Sequence, residues 1–105
     1  MMHGDVCYHT FKSPDKRCPA LILTRSIAIP NLTWLTIAPI TTTIRNLPSE
    51  VWLDESDGMS EICAVNLDNI QTVQKEKLGK VITHLSDERM QEVFEAIKFA
   101  FGFDK

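Results

Sequence analysis

The sequence predicts a small antiparallel β-barrel closed by one C-terminal amphipathic helix, a mainly β fold of the α+β kind. Two observations give the barrel: short runs of β-branched and aromatic residues follow one another, and polar turns separate them at close spacing. A third gives the helix, because the apolar period changes from two to between three and four near residue 86.

The first run, "DVCYHTF" (5–11), sets Val6, Tyr8 and Thr10 against Cys7, His9 and Phe11. Next, "PALILT" (19–24) is almost continuously apolar, as expected of a strand covered on both faces. "LTWLTIAPI" (32–40) suits a pleated surface. "SEVWL" (49–53), "ICAVNL" (62–67) and "KVITHL" (80–85) follow, with "NIQTV" (69–73) as a weaker strand. In the final segment Ser86 is placed to cap a helix, with Asp87 and Glu88 in the first turn where the helix dipole favours anions. Met90, Val93, Phe94, Ile97, Ala100 and Phe101 form one apolar stripe, read as core packing, and Gly102 is placed to end the helix.

A length of 105 residues, 44% hydrophobic and 24% charged, predicts a single folded domain over 1–105. No apolar run approaches the roughly 20 residues needed to cross a bilayer. The N-terminal residues lack the basic and apolar regions of a secretory signal. Three cysteines without a CxxC pair fit free thiols in a reducing compartment. The expectation is a cytoplasmic protein with no membrane segment.

The net charge of −3 argues against indiscriminate binding to nucleic acid, yet the charge is unevenly placed. From Lys16 to Ser49 the charged residues are Lys16, Arg17, Arg25 and Arg45, all basic. From Glu50 to Glu61 they are all acidic. A local basic surface on an acidic protein is consistent with that pattern.

His3, Cys7, His9 and Cys18 are close in sequence but lack the tight ligand pairs of a zinc site, so no metal is expected. Cys18 beside Arg17 has electropositive company, though a lone cysteine next to a strand is more often a small buried filler. No GxSxG, P-loop or GxGxxG is present. What remains is hydroxyls and guanidinium groups. "APITTTIR" (38–45) ends a strand in Thr41, Thr42 and Thr43 and then Arg45. Such a run either satisfies turn backbone groups or helps to hold a phosphate, and spacing leaves both open.

The segments "HGDV", "PALILTR", "TIAPITTTIR", "LPSEVWLD", "DGMSEICAVNLDNIQTV" and "KEKLGKVITHLSDERMQEVFEAIKFAFG" resemble the MazF/PemK/Kid family of toxin endoribonucleases. The resemblance spans about residues 3–103. It implies an SH3-like β-barrel with a C-terminal helix, acting as a homodimer without metal or cofactor. It implies sequence-specific cleavage of single-stranded RNA, including mRNA, through attack of a ribose 2′-hydroxyl on the adjacent phosphate. It also implies neutralisation by a cognate MazE-like antitoxin.

In that family the reacting pair is an arginine immediately before the proline of the second strand and a Thr or Ser after the third. The second maps to Thr41. The first maps to Cys18, which carries no permanent charge, so Arg17, one position earlier and expected in a turn that can absorb the shift, is taken as the working guanidinium. Cys18, Asp15, Thr42, Thr43, Arg45 and Asp68 are further catalytic or RNA-binding candidates, and Lys16 and Arg25 are RNA-binding candidates. Trp34 and Trp52 are candidates for base stacking or for packing at a barrel or dimer surface. The alternative is a non-catalytic binder on the same scaffold, such as a CcdB-type gyrase poison, or a family member weakened by loss of the usual arginine.

Overall fold

Each apolar run becomes a strand: β1 (Asp5–Phe11), β2 (Lys16–Ile22), β3 (Trp34–Thr41), β4 (Glu50–Leu53), β5 (Cys63–Asn66), β6 (Gln71–Gln74) and β7 (Leu78–His84). An α-helix, α1 (Asp87–Phe101), follows. This computed structural model describes residues 1–11 and 16–104. The strands form one antiparallel sheet in the order β4-β5-β3-β2-β1-β7, with β6 paired to β3 off that path. The sheet coils in a barrel-like way but its hydrogen-bonded path stays open.

Strand β3 is the hub. Trp34–Ile37 pair with β6, Ile37–Pro39 with β2, and Ile40–Thr41 with β5. Its residues also alternate between two apolar cores, Ala38 and Ile40 in one and Leu35 and Ile37 in the other. Val6, Leu21, Ala38, Ile40, Leu53 and Val65 pack with Val93 and Ala96 of the helix. Cys7, Ala20, Ile22, Leu35, Ile37 and Val73 form the second core on the other face. Ala20, Leu21 and Ile22 are all fully buried, alternating between the two cores as the continuous apolar run predicts. A leucine such as Leu21, fully buried, contributes about 1.5–3 kcal/mol relative to exposure.

Strand β2 starts three residues before Pro19, earlier than its apolar run. The reason is its pairing with β1, which continues in unbroken register to Phe11 and Lys16. Arg17, expected in a turn, is therefore on a strand.

The helix caps are those the sequence predicts. Arg89 N donates to the Ser86 hydroxyl at 3.1 Å, and Gly102 closes the C-terminus in the left-handed region, φ 79°. The stripe is narrower than expected. Val93 and Ala96 are buried, whereas Phe94 and Phe101 are 52% and 55% exposed. The small Ala96 lets the helix approach the sheet along the 93–96 line, which leaves Phe94 and Phe101 outside the contact. The Lys98 ammonium lies 4.8 Å from the centre of the Phe94 ring.

The acidic segment after β4 serves the fold. Asp54 caps the turn at Glu55–Asp57, accepting from the Ser56 hydroxyl and from Ser56 N, and these two bonds hold its carboxyl below the usual range. Asp57 pairs with Arg89 at 3.0 Å, tying the turn to α1. At Gly58, φ 91°, an added Cβ would lie 2.4 Å from Thr83 Oγ1, so only glycine fits.

Candidate active site

The β1–β2 register settles which way each residue of the "KRCP" stretch points. Opposed residues in an antiparallel pair project to the same face. Thr10 faces Arg17, His9 faces Cys18, and Tyr8 faces Pro19. Arg17 thus shares a face with Tyr8 and Pro19, and its guanidinium carbon lies 4.4 Å from the centre of the Tyr8 ring. Cys18 lies on the other face with His9 and Ala20. Burial, and then Lys77, lower the His9 pKa, so the neutral imidazole is favoured beside it.

Strand β2 meets β3 through Ala20 opposite Pro39. Beyond that pair Cys18 and Thr41 each stand two residues further on, and strand alternation keeps both on the face of Ala20 and Pro39. At this end of β2 the residue on the face of Thr41 is therefore a thiol. The guanidinium stands at the same end of the sheet on the opposite face, stacked on tyrosine.

Thr41 is half-buried, and its Oγ1 accepts from Thr43 N at 3.0 Å. The turn reading of the threonine run is thus realised, but a hydroxyl that accepts one bond still has a proton to donate. Thr42 and Thr43 are exposed. A small cleft of about 80 Å³ at this strand end is lined by Pro19, Thr41, Thr42, Ser60 and Glu61, among others.

Arg45 follows on an exposed loop whose geometry is set by Glu50. The Glu50 carboxylate accepts from Arg45 N at 3.1 and 3.2 Å and from Leu47 N at 3.1 Å. Asn46 between them has φ 58°. The first residue of β4 so fastens a basic loop near the end of β3. Neither this clamp nor the Tyr8 stack was among the residues singled out from sequence. Glu50, the first acid after a long acid-free stretch, was the available signal.

Other candidates lie elsewhere. Arg25 is at the far end of β2, next to Thr24, whose hydroxyl accepts from Thr36 N at 2.8 Å. Asp68 accepts a hydrogen bond from the Ser49 hydroxyl, while its own N–H donates to Asn66 Oδ1 at 2.9 Å. It secures a turn. Asp15 lies outside the described residues, and Lys16 is placed only as the partner of Phe11 in the strand register.

A concavity of roughly 660 Å³ lies apart from these groups, between the Glu55–Gly58 turn and the start of α1. Its lining includes Glu55, Asp57, Glu88 and Glu92 against Arg89, a surface that repels phosphate. Among the described residues no His, Cys, Asp and Glu side chains are grouped as a metal ion requires. No described helix is long and apolar enough to cross a membrane.

Residues 3–101 match the family described as PemK-like, MazF-like toxin of type II toxin-antitoxin system. The Mycobacterium tuberculosis protein named Endoribonuclease MazF3 is 43% identical over 90 residues, covering 86% of this chain and 87% of that protein. The structure of the Mycobacterium tuberculosis toxin MazF-mt6 superimposes with a TM-score of 0.88 at 39% identity, covering 96% of this chain and 99% of that one. A mycobacterial endoribonuclease in complex with its cognate antitoxin gives 0.89 at 25% identity, covering 100% and 98%. The fold described above is thus that of a known toxin scaffold, and the chain belongs to the PemK-like, MazF-like family of type II toxins.

Proposed function

We propose that this chain is an endoribonuclease toxin that cuts single-stranded RNA, mRNA included, and is silenced by a cognate antitoxin. The observation that carries the reading is the threonine run at the open end of β3, on the scaffold of a toxin family whose relatives are named endoribonucleases. In the proposed reaction a ribose 2′-hydroxyl attacks the adjacent phosphorus and the bond to the 5′-oxygen breaks. One product keeps a 2′,3′-cyclic phosphate and the other a 5′-hydroxyl. The substrate supplies the nucleophile, so the protein has to hold the phosphate in line and stabilise charge on its oxygens.

Thr41 is proposed to donate its hydroxyl proton to a phosphoryl oxygen, with Thr42 and Thr43 beside it. Arg17 is the proposed guanidinium, turning from the Tyr8 ring toward the bound phosphate, while Arg45 and Lys16 attract the RNA backbone. Asp68 and Arg25 contribute less on this reading, because Asp68 secures a turn and Arg25 lies at the far end of β2. The acting unit is proposed to be a homodimer in the cytoplasm, where its RNA is made. The half-exposed Phe94, Phe99 and Phe101 supply apolar surface for a protein contact.

A second reading, a family member of weakened activity, is favoured by one observation: at that strand end a thiol rather than a guanidinium shares the face of Thr41. One experiment separates the two. Pure protein is incubated with a long unstructured RNA in EDTA and the product ends are mapped. Discrete cuts bearing cyclic phosphates support the nuclease. Intact RNA, with cuts appearing only in Cys18→Arg, supports the weakened member, and loss of cutting restored only by a divalent ion refutes the metal-free chemistry.

A further inference from the structure

We infer that Trp52 is the platform on which a base of the RNA stacks, next to the phosphate held at Thr41. The inference rests on the endoribonuclease reading and adds to it a residue that selects and orients substrate. Trp52 of β4 faces Ala64 of β5, and Ala64 faces Thr41 of β3. Directly opposed residues share a face, so Trp52, Ala64 and Thr41 form one row across three strands. Strands lie about 4.8 Å apart, which puts Trp52 about 10 Å from Thr41. One nucleotide bridges such a span from phosphate to base.

Ala64 is fully buried and has the shortest side chain that still carries a Cβ, whereas the indole beside it is 48% exposed. A half-exposed indole on a regular strand offers a flat apolar face, and every base can stack on it. Charge fixes the orientation. Glu50, two residues along β4, projects to the same face as Trp52, and its carboxylate engages Arg45 N and Leu47 N. Phosphates are thereby turned toward Thr41 and Arg45, and the uncharged base is what reaches the indole. The molecule contains its own control. Trp34 is 52% exposed, but it pairs with Gln74 at the opposite end of β3 and on the other face.

The test uses Trp34→Phe, in which Trp52 is the remaining tryptophan and is excited selectively at about 295 nm or longer, beyond the absorption of Tyr8. The probe is the DNA version of an oligonucleotide that the protein cuts as RNA, which lacks the 2′-hydroxyl nucleophile. Titration should quench Trp52, and an abasic position beside the cut should abolish the quenching. In cleavage assays Trp52→Ala should lose roughly 5- to 100-fold in kcat/KM, as expected for one stacked base. Trp52→Phe should keep most activity, and Trp34→Phe all of it. Cleavage by the wild-type protein with no quenching, and with Trp52→Ala fully active, overturns the inference and leaves the nuclease reading standing. So does a Trp52→Ala protein whose only change is dissociation of a dimer or loss of antitoxin binding. Absence of RNA cleavage by the wild type defeats the nuclease reading, and the inference with it.

Discussion

The guanidinium of Arg17 lies 4.4 Å from the centre of the Tyr8 ring, on the side of β2 away from Cys18. At an exposed site such a contact is worth about 0.5–1 kcal/mol. If Arg17 must leave the ring to reach a phosphate, Tyr8→Leu removes that restraint and should raise cleavage about two- to fivefold. Arg17→Ala should lower it about a hundred- to a thousandfold, the cost of one preorganised charge-stabilising donor. Single-turnover rates on a short RNA measure both. A Tyr8→Leu protein slower than wild type would mean that the ring positions Arg17 rather than stores it.

Cys18→Arg puts a guanidinium on the face that Thr41 occupies. It should increase cleavage in the wild-type background and restore it in Arg17→Ala, while Thr41→Ala should abolish the gain. Rates from the four proteins give the coupling directly. If Cys18→Arg changes nothing in either background, the charge comes from elsewhere, with Arg45 the next to replace.

The cysteines should separate cleanly. Cys7 and Cys63 are buried, and burial pushes both thiols above their ordinary value of 9.0. A thiol reagent should modify Cys18 rapidly in the native protein and reach the other two only as the protein unfolds. The same shifts set an alkaline limit. Folded pKa values above the unfolded ones leave stability intact below about pH 9 and remove it as pH rises further. Urea midpoints between pH 7 and 10 would show the decline, and a flat profile would contradict it.

Glu50→Ala should release the 45–47 loop. Amide exchange at Arg45 and Leu47 should accelerate, global stability should fall by about 1 kcal/mol, and RNA affinity should weaken as Arg45 loses its placement. Glu50→Gln, which keeps one acceptor, should show a smaller change. Unchanged exchange at both amides would show that the loop holds its shape without the carboxylate.

The strands and the helix were legible because burial imposes a period on the residues that experience it. Ala20, Leu21 and Ile22 announce a strand between two cores, and Ser86 and Gly102 mark the ends of α1 by the chemistry of orphan backbone groups. Register was not legible. Nothing in "DKRCPALIL" states that β1 keeps pairing as far as Lys16, yet that pairing decides that Arg17 and Cys18 point to opposite faces. The outward turn of Phe94 and Phe101 was hidden for a related reason. An apolar stripe records which residues avoid water in any assembly, and the sheet of a single chain covers only part of it. Asp68 was ambiguous until its partner Ser49, 19 positions away, came into view.

One pairing carries a consequence in time. Asp5 of β1 and His84 of β7 meet across 79 positions, so the first strand acquires its second neighbour only when the last one exists. At about 5–20 residues per second a ribosome separates the two by roughly 4–16 s. Contacts of such sequence separation also close slowly once the chain is complete, since loop entropy is lost before the contact forms. For a toxin this interval is a built-in delay. The nascent chain cannot finish its sheet while most of it is still unmade, and a partner already present meets it before it is whole.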